Sequence, residues 1–295
     1  MRVLRRSDLP ERLAPGPDDL LIEADCAAVL PRLPAGCFDM AYVDPPFNTG
    51  RVQRRERLRV VADERGDRAG FAGRRYRSES LGGLRFDDAF DDYLGFLMPR
   101  LGEVRRVLAD HGTLYVHLDP REAHYVKVAL DGLFGRECFL NEIVWAYDYG
   151  GRPRRRWPAK HDTILVYVKD PERYHFDDAE VDREPYMAPG LVTPEKRARG
   201  KRPSDTWWHT IVPTNGAERT GYPTQKPLGI VKRMVAASSR PGGWCLDCFA
   251  GSGTLGAAAR DLGRRFVLVD CSPDAVAIAA RRLGGEVDSI GRRSG

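Results

Sequence analysis

The chain has 295 residues, 42% of them hydrophobic, which is enough for one large α/β domain or two small ones. No run approaches the ~20 apolar residues of a membrane span, and the start MRVLRRSDLPERL lacks a signal-peptide core, so a soluble cytoplasmic protein without membrane association is expected. Six scattered cysteines exclude a disulfide framework, the lone CxxC of Cys245 and Cys248 has no partner at zinc-ribbon spacing, and the net charge of +5 is modest overall.

In chain order, LLIEAD (20 to 25) and FDMAYVD (38 to 44) are short apolar runs that each end in aspartate, joined by CAAVLPRLPAG with a helical turn. From Arg51 to about Arg85 neither period appears, and ten arginines stand against four acids between Arg51 and Arg77. A helix is expected next, with Tyr93, Leu97, Leu101, Val104 and Leu108 on one side behind the acidic turn of Asp87, Asp88 and Asp91, and with Gly112 as its stop. TLYVHLD (113 to 119) reads as a buried strand, Arg121 to Phe134 as a helix, and EIVWAY (142 to 147) and HDTILVYVKD (161 to 170) as two more strands. Between those two lies GRPRRRWPAK (151 to 160), with five cations. Residues 171 to 215 keep no period and include EKRARGKR (195 to 202), so they read as an insert. Three basic runs interrupting a neutral-to-acidic body point to a polyanion-binding face, against the alternative of solubilising charge on loops.

Periodicity returns at Pro227, a suitable helix start, with Leu228, Val231, Met234 and Val235 on its apolar side. WCLDCF, the turn AGSGTLG, a helix to about Leu262 and RFVLVD (265 to 270) follow. Alternating β and α units predict an α/β fold with a mostly parallel sheet covered on both faces. In the last unit, Gly251 and Gly253 let a ligand approach the backbone, and Asp270, ending the next strand, is placed to accept both ribose hydroxyls. That is a nucleoside-binding unit, and on this motif alone a hydride-transfer enzyme stays open.

Two motifs together narrow the reading. FAGSG resembles the FxGxG cofactor loop of S-adenosylmethionine-dependent methyltransferases, and DPPF (44 to 47) resembles the Asp-Pro-Pro-aromatic motif of those that methylate exocyclic amines of DNA bases. The catalytic motif precedes the cofactor loop, an order similar to the circularly permuted β class, which includes modification subunits of type III restriction systems; RTGYPTQKP also resembles that group. The resemblance implies a class I, Rossmann-like fold with a seven-stranded sheet, one permuted domain over 1 to 295, a flexible DNA-facing loop over 51 to 85 and a target-recognition insert over 171 to 215. It also implies a site-specific adenine-N6 DNA methyltransferase using S-adenosyl-L-methionine on double-stranded DNA, with a homodimer and a companion restriction endonuclease among its partners. A cytosine-N4 enzyme and a catalytically silent DNA-binding partner are the rivals.

The chemistry behind DPPF is that the exocyclic amine donates its lone pair into the ring and is a poor nucleophile, so acceptors aimed at its N–H bonds help it to attack. By resemblance, the Asp44 carboxylate and the Pro45 carbonyl are those acceptors, Pro46 helps to fix that carbonyl, and Phe47 gives the flipped base a stacking face. Asp25, Thr224, Gln225, Lys226, Asp247, Phe249, Gly251, Ser252, Gly253 and Asp270 would hold the cofactor. Asn48, Arg54, Arg55, Arg74, Arg75, Arg152, Arg154, Arg155, Arg156, Lys160, His161, Lys201 and Arg202 would meet DNA. Trp207 and Trp208 would contact DNA or pack the insert, and transfer from a sulfonium needs no metal.

Overall fold

The computed structural model describes residues 1–14, 16–48, 53–62, 68–69, 75–86, 90–213 and 215–285, with backbone alone for the strands between 53 and 86. It divides into two compact units, Met1–Phe47 with Asp92–Gly295, and Asn48–Asp91. The smaller unit follows Phe47 in the chain, within the 1 to 295 expected as one permuted domain. No described helix is long and apolar enough to cross a membrane.

The strands are β1 (Arg2–Arg5), β2 (Leu20–Glu23), β3 (Phe38–Val43), β4 (Gln53–Ala62), β5 (Arg68–Ala69), β6 (Arg75–Phe86), β7 (Leu108–Leu118), β8 (Phe139–Ala146), β9 (His161–Val168), β10 (Thr206–Trp208), β11 (Trp244–Asp247) and β12 (Arg265–Asp270). The α-helices are α1 (Cys26–Val29), α2 (Tyr93–Val107), α3 (Pro120–Phe134), α4 (Pro194–Arg199), α5 (Leu228–Ser238), α6 (Thr254–Asp261) and α7 (Pro273–Arg282). The main unit is a nine-stranded sheet in the order β1-β2-β12-β11-β3-β7-β9-β8-β10. Seven central strands, β2 through β8 in that order, match the expected sheet; β1 and β10 extend its two edges. Those edge strands have four and three residues, too few to display a period. All neighbours pair in parallel except at β9, which runs antiparallel to both β7 and β8.

β3 is buried along its whole length, as a central parallel strand covered on both faces must be. Leu21, Met40, Cys245, Phe266 and Leu268 from the sheet pack with Val231, Met234 and Val235 of α5 and Leu255 of α6. Gly112 does not stop α2, which ends at Val107. It lies inside β7, where the pairing with β3 shifts between Phe38 and Met40, and a Cβ there would meet the carbonyl oxygens of Ala109 and Phe38 at 2.9 Å. A side chain would not fit this bulge.

Two segments without a readable period nevertheless form structure. In the smaller unit, β4 and β6 pair antiparallel over most of 53 to 86 and β5 adds to β6, so the expected loop over 51 to 85 is a β-ribbon where described. Ladder hydrogen bonds come from the backbone, so an arginine-rich ribbon can pair without apolar alternation. The insert over 171 to 215 supplies α4, β10 and an antiparallel bridge between Glu184 and Lys201. It is fastened to the rest of the main unit by Arg233 on Asp182 at 2.6 Å and by Arg264 on Glu180 at 2.5 Å.

Candidate active site

The parallel strands end together at one edge of the sheet, the place where open α/β sheets bind ligands. Asp44 follows β3, Asp247 ends β11, Asp270 ends β12, and Asp25 follows β2 as the cap of α1. Because β9 runs the other way, His161 and Asp162 begin it at the same end.

Asp44 does not stand alone. The Lys226 ammonium, from the loop before α5, donates to both of its carboxylate oxygens at 2.6 Å. That pair is mostly buried, with side chains 9% and 17% exposed for Lys226 and Asp44. The same ammonium lies 4.6 Å from the centre of the Phe47 ring, within cation–π range. Lys226, expected at the cofactor, is thus committed to Asp44 and Phe47. Its backbone is pinned separately: Gln225 accepts from the Thr220 amide and hydroxyl at 2.8 Å and donates to the Glu218 carbonyl at 2.7 Å.

Behind Phe47 runs a polar chain that the motifs do not reveal. His117 of β7, fully buried, stacks at a tilt 5.9 Å from Phe47 and meets Trp145 edge-on at 5.5 Å. Its Nδ1 is 2.8 Å from the Tyr42 hydroxyl and its Nε2 is 3.0 Å from Asp162. Burial pushes the Tyr42 hydroxyl well above its usual pKa, and the nearby Asp44, Asp247 and Asp162 push it further. Tyr42 therefore keeps its proton and donates to Nδ1, which leaves Nε2–H for Asp162. Asp162 also accepts from Tyr147 at 2.9 Å. Its burial alone raises its pKa, but His117, Lys226 and Tyr147 outweigh that and hold it below the usual value. A histidine inside the otherwise apolar TLYVHL run was the available signal.

The glycine loop lies beside this group. Gly251 and Gly253 have φ of 50° and 73°, in the left-handed region. A Cβ on Gly251 would stand 3.0 Å from the Tyr222 ring, and one on Gly253 3.0 Å from Ala279. Asp270 accepts from the Gly251 amide at 2.7 Å and the Ser272 amide at 2.8 Å, so it ties the loop to the strand end. Burial raises its pKa despite those two bonds. Asp247, also buried, accepts from the Phe249 amide at 3.0 Å; burial pushes its carboxyl well above the usual range, and the charges of Asp44 and Asp270 add to the rise. Ser252 and Thr254 share a hydrogen bond at 3.2 Å, and Arg282 reaches Thr254 at 2.8 Å. Asp25 accepts from the Ala27 amide at 2.8 Å and from Arg100 at 3.0 Å. Thr224 is exposed, one residue outside the buried pair Gln225 and Lys226.

The arginines and lysines expected to contact DNA fall in three places. Arg152, Arg154, Arg155 and Arg156 are exposed on the loop between β8 and β9, with Trp157 93% exposed among them; Lys160 donates to the Gly150 carbonyl at 3.1 Å. Arg54 and Arg55 lie in β4 and Arg75 in β6, while Arg74 is outside the described residues. Lys201 and Arg202 lie on the insert, where Arg202 pairs with Asp178 at 3.2 Å. Asn48 adopts a left-handed φ of 53° and its side chain accepts from the Phe90 amide at 2.9 Å. Trp207 is buried, with Arg233 over its ring, and serves packing; Trp208 is 76% exposed.

A family model described as DNA methylase matches residues 38–281. The chain is 29% identical over 281 residues to the type II methyltransferase M.HpaI of Haemophilus parainfluenzae, covering 94% of this chain and 78% of that one. It is 27% identical over 271 residues to the DNA adenine methyltransferase YhdJ of Escherichia coli (strain K12), covering 89% and 82%. Among solved structures, the cytosine-N4-specific PvuII DNA methyltransferase superposes with a TM-score of 0.63 at 13% identity, over 94% of this chain and 90% of that one. The complex of M1.HpyAVI with SAM gives 0.56 at 18% identity, over 89% and 98%.

Proposed function

The chain belongs to the DNA methylase family, and from that premise we propose that it methylates the N6 amine of an adenine flipped out of duplex DNA, at a specific site. It is a methyltransferase that draws on S-adenosyl-L-methionine. The observation that carries the reading is the position of Asp44: a carboxylate at the end of a buried strand, followed by two prolines and the Phe47 ring, beside the glycine loop. The adenine assignment is supported by the DPPF-NTG sequence at 44 to 50 and by the likeness to the Escherichia coli adenine methyltransferase.

The residues fit the cofactor. Side chains at Gly251 and Gly253 would crowd Tyr222 and Ala279, and both residues take a left-handed φ, so the tight turn that carries the loop requires glycine at each. Asp270 uses one lone pair on each oxygen for the loop amides and keeps the other for ribose hydroxyls. Gly251, Gly253, Ser252, Phe249 and Asp247 would line the cofactor, with Asp25 toward its adenine. When bound, S-adenosylmethionine supplies an electrophilic methyl group on a sulfonium.

The chain's own groups do the rest. Phe47 presents its face to the flipped base, backed by His117. The Asp44 carboxylate and the Pro45 carbonyl accept the two amine N–H bonds, which frees the nitrogen lone pair for in-line attack. As the N–C bond forms the S–C bond would break and leave a neutral thioether; the amine is then cationic, and it returns to neutrality by passing one proton, by way of its hydrogen-bond acceptors, to water. The basic loop of Arg152 to Arg156, with Lys160 and His161 at its end, would contact the phosphates, offsetting an unstacking cost of a few kcal/mol. Arg54, Arg55, Arg74, Arg75, Lys201 and Arg202 would add to that field, and the insert over 171 to 215 would read the target. A homodimer and a companion restriction endonuclease fit the same role.

The test is to incubate the protein with unmethylated genomic DNA and S-adenosylmethionine, digest to nucleosides and identify the product by mass spectrometry. N6-methyladenine is expected. N4-methylcytosine would overturn the base assignment while keeping the mechanism.

A further inference from the structure

We propose that Lys226 is a positioning residue for the transfer step: in the free protein its ammonium fills the target base's place on both Asp44 oxygens and the Phe47 face, and when the base enters it gives up the ring and one oxygen but keeps the other, so that Asp44 stays aimed. This rests on the reading that Asp44 and Phe47 receive the base. One cation makes both contacts at once, with two oxygens at 2.6 Å and the ring centre at 4.6 Å. An amine bonded to Asp44 by a base stacked on Phe47 would need that same space, so at the ring and at one oxygen the two occupants are alternatives.

Lysine suits the task. Its four-carbon stem is flexible and its three donors rotate, so the ammonium can swing aside without moving the backbone. The backbone is held in place: the Lys226 carbonyl accepts from Thr254 at 3.3 Å, Gln225 is locked by Thr220 and Glu218, and Pro227 follows. The surroundings explain why a cation is needed. Asp44 ends β3 and is faced by Asp247 of β11, Asp270 of β12, Asp162 of β9 with His117 of β7, and the hydroxyls of Tyr42 and Tyr222. Lys226 is the cation that meets Asp44 among these groups, and the pair holds both Asp44 oxygens toward one point before DNA arrives.

The experiment compares wild type with Lys226→Gln and Lys226→Arg. It measures cofactor affinity by calorimetry and the single-turnover methylation rate at saturating cofactor and DNA. Lys226→Gln should keep cofactor affinity within ~3-fold but lose roughly 100-fold or more in rate. Lys226→Arg, which keeps the cation, should recover most of that rate. A Lys226→Gln protein that binds cofactor weakly, yet regains the wild-type rate once saturated, would overturn the proposal and make Lys226 a cofactor contact. Nitrogen NMR of the lysine ammonium groups gives a readout that needs no turnover: wild type should show one protected signal that disappears in Asp44→Asn. Its absence in wild type would overturn the inference, whereas an inactive wild type that shows it would count against the assigned reaction alone.

Discussion

His117 has no contact with water, so both ring nitrogens need partners inside the protein, and Tyr42 and Asp162 provide them at 2.8 and 3.0 Å. Removing the Tyr42 hydroxyl would leave Nδ1 buried and unpaired, so Tyr42→Phe should cost about 1–3 kcal/mol in urea unfolding. A variant as stable as wild type would show that the bond contributes nothing. Asp247 works in the opposite sense, because burial holds its pKa above the unfolded value near ~3.9. Its folded state therefore favours the proton, and the stability this brings is present below the unfolded pKa and lost as pH rises through the folded one. Asp247→Asn keeps an acceptor for the Phe249 amide but cannot ionise. Its melting temperature relative to wild type should climb as pH rises, and a constant difference across pH would contradict the burial argument. At this scale Asp44, Phe47, Gly251 and Asp270 were legible because each belongs to a contiguous motif. The His117 chain was not, since Tyr42, His117 and Asp162 come from three strands and Tyr147 from just past a fourth, and they meet only through the pairing of β3, β7, β9 and β8. Lys226 was legible as part of PTQKP, but its partner 182 positions away was not.

Elements with a buried face declared themselves. β3, β7, α3 and β12 were readable because each covers or forms the core, and burial imposes a period. β10 did not, being three residues long, yet it docks beside β8 with Trp207 opposite Trp145. Trp207 donates to the Ser204 carbonyl at 2.7 Å and lies beneath Arg233, which also holds Asp182. This side chain joins the insert to the sheet edge. Trp207→Ala should cost about 3–5 kcal/mol as a core truncation, measured by chemical unfolding, and should expose the insert to limited proteolysis before the rest. Unchanged stability and protease resistance would mean that the ion pairs of Arg233 and Arg264 hold the insert without it. The ribbon of β4 and β6 was hidden for another reason: it is an element of backbone pairing with no requirement for alternation.

Across the whole chain, a net charge of +5 hides a concentration of arginine in a few segments. The loop between β8 and β9 places four arginines and an exposed tryptophan at the sheet end that carries Asp44. Replacing Arg154, Arg155 and Arg156 together by alanine should weaken DNA binding similarly on all sequences and reduce the slope of log affinity against log salt by roughly one for each phosphate no longer neutralised. An unchanged slope would remove this loop from the interface. The fold class was readable from the βα alternation and the motif order, whereas the division into two units was not, because it depends on how 48 to 91 pair among themselves. In the proposed mechanism Asp44 acts in methyl transfer and not in holding the cofactor. Transfer of labelled methyl from S-adenosylmethionine to DNA should therefore be measured for wild type and Asp44→Ala side by side, with cofactor affinity determined on the same samples. Label should enter DNA with wild type and fall by at least ~100-fold with Asp44→Ala, at cofactor affinity within a few fold. Substantial labelling by Asp44→Ala would show that transfer does not depend on this carboxylate.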